Sequence, residues 1–267
     1  MSRPSFLPLL LTSLCIPLAV FGQGSKAKTS PVELRLLSFN PGGGQQEVFV
    51  HDPAAQDAAD GKQCMVKSYL NHEFVSIGLA GRTLVLTTKA ARTSLSETGA
   101  KVAKVTMPEG VDRGILVLFP GAKNEEYLCR ALVIDDSAKA FPPGSLNIIN
   151  MSPLPVRLML EKDVVDFKSG ERKVIKDPPV RENNHTAMKA FCFKDNEWKR
   201  VASGLWPHPG TKRRFQILFE NPQTREIELR GYLDIAGIER PKPGEGGAPA
   251  GEGPAGGGAP PAATPKP

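Results

Sequence analysis

The chain repeats a pattern that only strands satisfy. An apolar run that stops at a proline occurs as Leu34-Arg-Leu-Leu-Ser-Phe-Asn-Pro41 and returns 112 positions later as Leu146-Asn-Ile-Ile-Asn-Met-Ser-Pro153. A second match joins Gly81-Arg-Thr-Leu-Val-Leu86 to Gly170-Glu-Arg-Lys-Val-Ile175 at an offset of 89. A third joins Leu116-Val-Leu-Phe119 to Gln216-Ile-Leu-Phe219 at an offset of 100, with Glu126 mapping to Glu226 and Arg130 to Arg230. Three blocks in one order imply a duplicated unit, which we bound at 33–136 and 145–236. The changing offset assigns extra residues to the first copy around His51–Lys62 and to the second around Asp177–His185. Both stretches are polar or proline-rich, as loop insertions are.

Strand signals follow one another closely in the second copy. Apolar alternation predicts strands near 145–151, 155–161, 172–176, 187–194, 197–203, 213–220 and 225–235. Asp195-Asn196 predicts a tight hairpin turn, because both residues tolerate positive φ. Asn221-Pro-Gln-Thr224 predicts another, and Gly42-Gly-Gly44 a third in the first copy. No helical period is sustained; Ala54 to Asp60 has room for one short turn of helix. About seven strands in about 90 residues is the rhythm of an immunoglobulin-like β-sandwich, so the fold class expected is all-β, two such repeats in tandem.

The ends read differently. Arg3 followed by an apolar core from Phe6 to Gly22 predicts a secretory signal peptide at 1–22. Pro8 and Pro17 argue against a transmembrane anchor there, and no later run reaches the length of a span. Residues 23–32 read as a linker. From Arg240 to Pro267 the chain is mostly Gly, Pro and Ala, and the tail at 240–267 is expected to be disordered. The protein is therefore expected to be secreted or periplasmic, which argues against nucleic acid as a partner. Removal of the leader leaves Cys64, Cys129 and Cys192. Free, buried thiols are the simplest reading; a Cys64–Cys129 disulfide is the alternative an oxidising compartment permits.

Catalytic and metal chemistry find little support. His51, His72, His185 and His208 have no metal-ligand spacing between them or with cysteine. Asp52, Asp57 and Asp60 do not match a calcium loop. Ser76, Ser94, Ser96, Ser169 and Ser203 carry no nucleophile motif. No cofactor, metal or enzymatic activity is expected. Charge is the remaining lead. Lys and Arg outnumber Asp and Glu by 16 to 12 over 145–236, whereas the balance over 33–136 is 11 to 13. Trp198, Lys199, Arg200, Trp206, Lys212, Arg213 and Arg214 could form one basic, aromatic face for an acidic glycan or an envelope protein. Asn150-Met-Ser152 and Asn184-His-Thr186 are glycosylation sequons in a eukaryotic setting.

With the strand–proline pair and the Phe193-Lys-Asp-Asn-Glu-Trp-Lys199 hairpin, the chain resembles exported β-sandwich proteins of Gram-negative bacteria. Its Leu34–Pro41 stretch, followed by Glu47-Val-Phe-Val-His-Asp52, is similar to the periplasmic alginate O-acetylation accessory proteins. The resemblance implies a binding or scaffolding role. The expected function is an exported, non-catalytic structural or protein-interaction protein of the cell envelope, with a carbohydrate-binding accessory module as the alternative.

Overall fold

The computed structural model describes residues 29–39, 47–55, 60–121 and 125–235. The leader, most of the linker, the Gly42–Gly44 turn, most of the Ala54–Asp60 stretch and the tail lie outside the described residues. The chain divides after Ser137 into two compact units. Both are all-β; among the described residues the one helical element is a single 3-10 turn at Arg92–Leu95. Among the described residues no helix is long and apolar enough to cross a membrane.

The first unit contributes β1 (Ser30–Ser38), β2 (Glu47–His51), β3 (Lys62–Lys67), β4 (Val75–Leu79), β5 (Thr83–Thr87), β6 (Lys101–Thr106), β7 (Arg113–Pro120) and β8 (Cys129–Asp135). Strands β3-β2-β5-β6 form one sheet, and β4-β1-β7-β8 the other. The second half of β3 crosses over to pair with β1, so the sheets are joined at that edge. Val48, Leu84 and Leu86 from one sheet and Leu34, Leu36 and Leu116 from the other share one apolar core. Leu34 to Leu37 are buried at every position. A central strand with a parallel neighbour shows this continuous run instead of alternation.

The second unit contributes β9 (Leu146–Asn150), β10 (Val156–Leu160), β11 (Asp163–Phe167), β12 (Arg172–Ile175), β13 (His185–Lys194), β14 (Glu197–Pro207), β15 (Lys212–Glu220) and β16 (Ile227–Ile235). Its sheets are β11-β10-β13-β14 and β12-β9-β15-β16. Each strand order equals that of the first unit with eight added. The register agrees too. Leu36 faces Leu116 across the parallel β1/β7 pair, and Ile148 faces Gln216 across β9/β15. Those residues are related by the offsets of 112 and 100.

Two sequence matches need correction. The second block equates β5 with β12, but β12 pairs antiparallel with β9 as β4 does with β1. The counterpart of β12 is therefore β4, and the shared glycine and apolar pattern is incidental. Arg130 pairs with Phe119, whereas Phe219 pairs with Glu228. The β15–β16 hairpin is two residues shorter, so Arg130 corresponds to Glu228 and not to Arg230. The strand count also differs: β11 makes eight per unit. An immunoglobulin domain puts its first, second, fourth and fifth strands in one sheet. Here the second, third, fifth and sixth lie together, because the tight β10–β11 and β13–β14 hairpins keep sequence neighbours in one sheet.

The expected turns are present. Asp195 and Asn196 have φ of 55° and 63°, the paired left-handed values of a two-residue hairpin. Asn221 accepts from the Gln223 amide at 2.9 Å through its side chain and closes the β15–β16 turn.

Candidate functional site

The positions of the two tryptophans are decided by one extra residue. Strand β14 pairs with β13 along its whole length, but Ala190 faces Ala202 while Phe191 faces Arg200. Val201 is the bulged residue, and a bulge reverses the facing of everything beyond it. Trp198 and Trp206 are eight apart and would share a face on an unbroken strand. The bulge puts Trp198 on the outer face with Phe193 and turns Trp206 inward, where it packs against the apolar core.

The outer face of β11-β10-β13-β14 is apolar and cationic. Side by side across the strands stand Asp166, Arg157, Phe191 and Arg200; next to them stand Val164, Met159, Lys189 and Ser203. Phe193 lies 5.2 Å from Trp198, ring centre to ring centre. The Arg157 guanidinium sits 4.3 Å from the Trp198 ring centre, within cation–π range. It is held there by Asp166, with Nε donating to Oδ1 at 2.7 Å and Nη2 to Oδ2 at 2.8 Å. This fork raises the Arg157 pKa and lowers that of Asp166. Val164 is 52% exposed, Leu205 57% and Phe193 36%. Solvated faces of antiparallel sheets are ordinarily polar; this one mixes exposed apolar side chains with charged ones.

The seven residues read as one face are divided between both sheets. Trp198 and Arg200 are on the outer face. Lys199 Nζ donates to Asp195 at 2.7 Å, which raises the lysine pKa and lowers the aspartate's. Lys212, Arg213 and Arg214 stand on β15 in the other sheet. Lys212 is exposed, and Arg213 is buried against Asp234. Arg214 lies on the interior face, between Leu146 and Leu233. Arg157 and Phe193 were missed as site residues; the Val156-Arg-Leu-Met-Leu160 alternation would have put Arg157 on the wet face.

In the first unit the fold brings together a serine and a histidine far apart in sequence. His51 and Ser94 are buried, and Ser94 Oγ is 3.5 Å from His51 Nε2. Nε2 also lies 2.9 Å from Thr87 Oγ1 and 3.4 Å from the Lys89 carbonyl. The Thr87 hydroxyl donates to that carbonyl at 2.7 Å, and Ser94 donates to Thr87 at 3.0 Å. The network thus assigns the proton to Nε2, which cannot then accept one from Ser94. Among the described residues no hydrogen-bond partner reaches Nδ1. Burial lowers the His51 pKa. Asp52 is used locally, accepting from the Ala54 amide at 2.9 Å and the Ala80 amide at 2.5 Å. Beside it a groove of about 490 Å³ runs past Ala54, Arg82, Lys104 and Tyr127. The Arg82 guanidinium there is tied to the Met107 carbonyl at 2.9 Å.

His185 Nδ1 is 2.7 Å from the Asn183 carbonyl, and His208 Nδ1 accepts from the Gly210 amide at 3.1 Å. Among the described residues no group of His, Cys, Asp and Glu is arranged to hold a metal. Cys64, Cys129 and Cys192 are free thiols rather than partners in a Cys64–Cys129 bridge. Asn150 is fully buried and donates to the Leu154 carbonyl at 2.8 Å, while Asn184 is exposed on a turn. Of the two sequons only the second is accessible in the folded protein.

No family model matches the chain, and no curated protein matches it. The resemblance to the alginate O-acetylation accessory proteins stands on its strand motifs alone, which suit many β-proteins. Among solved structures the chain is similar to one from Bacteroides uniformis described as a "putative cell adhesion protein", at 9% identity, over 79% of this chain and 100% of that one. The TM-score is 0.21, too low to pass a fold or a function to this chain.

Proposed function

We propose that this is an exported, non-catalytic interaction protein of the cell envelope, built from two copies of one β-sandwich module, the second of which carries the binding surface. The observation that supports this reading is the outer face of β11-β10-β13-β14. Phe193, Trp198, Val164 and Leu205 interrupt a surface that alternation would make polar. Exposed apolar side chains set among charges are a feature of interaction sites, and Trp and Arg dominate binding energy where they occur. The test is binding of the purified mature protein to isolated envelopes. A Phe193→Ser/Trp198→Ser variant with an unchanged circular dichroism spectrum should lose binding, and retained binding refutes the assignment.

A second reading is saccharide binding by the same unit. It is favoured by Arg214, a half-buried cation with no acidic partner among the described residues.

A further inference from the structure

Strand β14 is an edge of its sheet: it pairs with β13, and among the described residues no strand pairs with its other side. It is 11 residues long, whereas the edges β11, β12 and β16 have 5, 4 and 9. A long open edge is a template for another strand, and proteins ordinarily shorten or block theirs. In β14 the bulge at Val201 interrupts the edge and Pro207 ends it. The free backbone groups can be assigned. Phe193 donates its amide to the Pro155 carbonyl, and the Ala187 carbonyl accepts from the Glu161 amide, so both residues bond towards β10. The direction alternates along an antiparallel strand, so Lys189 and Phe191, which also face β10 residues, bond the same way. The partners of these four on β14 are Leu205, Ser203, Arg200 and Trp198. Their N–H and C=O groups therefore turn away from β13, towards the free edge. Side chains alternate with the same period, and those of the same four residues stand on the outer face.

A strand added to this edge would lay alternate side chains beside Trp198, Arg200, Ser203 and Leu205. Trp198 and Leu205 offer apolar contact. Arg200 is exposed, and so is Lys189, which reaches the edge across the short Ser203. Neither cation has an ion-pair partner among the described residues. The acid of the two rows on this face, Asp166, gives both its oxygens to Arg157. The charge that complements this edge is negative. A stacked sugar suits it less well than a peptide, because Arg157 already covers one face of the Trp198 ring and Phe193 lies against it.

We propose that β14 accepts an extended segment of a partner protein as a further strand, with apolar side chains beside Trp198 and Leu205 and acidic ones beside Arg200 and Lys189. Main-chain hydrogen bonds to the edge supply affinity, and the alternate side chains select the partner. This rests on the reading of the outer face as the binding surface and names the chemistry of what it binds.

The probe is a strand-length peptide in which threonine alternates with valine, glutamate, glutamate and valine, titrated calorimetrically against the chain from residue 23 onward. It should bind, and its counterpart with lysine for glutamate should be weaker by about tenfold or more, as like-charge repulsion in place of attraction implies. Arg200→Glu, an exposed change, should reverse that preference. Ser203→Pro removes a donor on the free edge without touching the β13 ladder, and should weaken binding with an unchanged circular dichroism spectrum. In the peptide, N-methylation of one alternate set of amides should abolish binding and of the other set should leave it, since one set faces β14. Binding that survives methylation of each set overturns strand addition, as does absence of binding by the glutamate peptide. Equal binding of the two peptides overturns the acidic assignment. If Phe193→Ser/Trp198→Ser still abolishes envelope binding after any of these results, the outer-face reading stands without the added strand. A glucuronic acid tetrasaccharide that displaces the peptide and is indifferent to Ser203→Pro overturns the proposal in favour of a polysaccharide. A dimer of the protein alone, seen by sedimentation and dissolved by both the peptide and Ser203→Pro, overturns it in favour of a second copy of this chain.

Discussion

Arg213 lies directly opposite Asp234 across the β15–β16 pair, and both side chains are buried. Arg213 Nε donates to Asp234 Oδ2 at 3.0 Å, Nη1 donates to the Phe141 carbonyl at 2.8 Å, and the guanidinium sits 4.4 Å from the Phe141 ring centre. The first unit places Arg113 opposite Asp136 in the same way. Arg113 stacks 3.9 Å from the Phe74 ring centre, and its Nε is 4.0 Å from the carboxylate. There Arg35 supplies the close contact to Asp136, at 2.7 Å. An arginine, an aspartate and an aromatic ring at one place in both units tie the duplication to side-chain chemistry as well as to strand order.

Removal of one member of this pair leaves the other charge buried alone. Asp234→Ala should destabilise the second unit by about 3–5 kcal/mol, measured by denaturant unfolding. The double variant Arg213→Met/Asp234→Leu should recover most of that loss. Equal losses in the single and double variants contradict a pair that acts as a unit.

His51 sets a pH dependence in the first unit. Burial, the largest effect, lowers its folded pKa below the ordinary 6.5; the Arg92 charge lowers it too, and the Lys89 carbonyl and Asp60 oppose them. The unfolded state then binds more protons below pH 6.5. The stability from this group is fully present above that pH and falls as the medium becomes more acidic. Unfolding midpoints should fall between pH 7.5 and 5.5, and His51→Gln should flatten the profile. A wild-type profile without slope contradicts the buried neutral imidazole.

Gly61 is required by the same ring. A Cβ at that position would lie 2.5 Å from His51 Nε2. Gly61→Ala should cost about 1–3 kcal/mol, as overpacking does. In a His51→Ala background the same change should be nearly neutral, which makes the double-mutant cycle the decisive measurement.

The thiols give a chemical test of the core. Burial pushes the Cys64 pKa up to about 11 and raises that of Cys129. Ellman's reagent at pH 8 should leave Cys64 unmodified in the native chain. After denaturation without reductant a chain that lacks residues 1–22 should titrate three thiols; a single thiol would reveal a bridge.

Much of this fold is legible in the sequence. The Leu34 and Leu146 blocks and the Leu116 and Gln216 blocks locate the central parallel pairs and their shared register, because a strand buried on every residue tolerates little variation. The Gly81 and Gly170 blocks mislead because peripheral strands share only a generic alternation. The ligand face is less legible. Trp198 and Trp206 have the even spacing of neighbours on one face, and the bulge at Val201 that separates them has no glycine to announce it. Arg213 and Arg214 look alike in a basic run, yet one is neutralised by Asp234, 21 residues away, and the other is not. Proximity of His51 to Ser94, 43 residues apart, depends on how β2 and the Arg92–Leu95 turn meet, which spacing does not encode.

The proposed interaction rests on the outer face of β11-β10-β13-β14. Its most direct test is a photo-crosslinking residue at Phe193 of the full-length protein in its host cells, with the same residue at Lys62 in the first unit as control. Crosslinking to one envelope component from position 193, absent from position 62 and abolished by Trp198→Ser, is the predicted result. Identical products from both positions, or none from 193, would contradict the account.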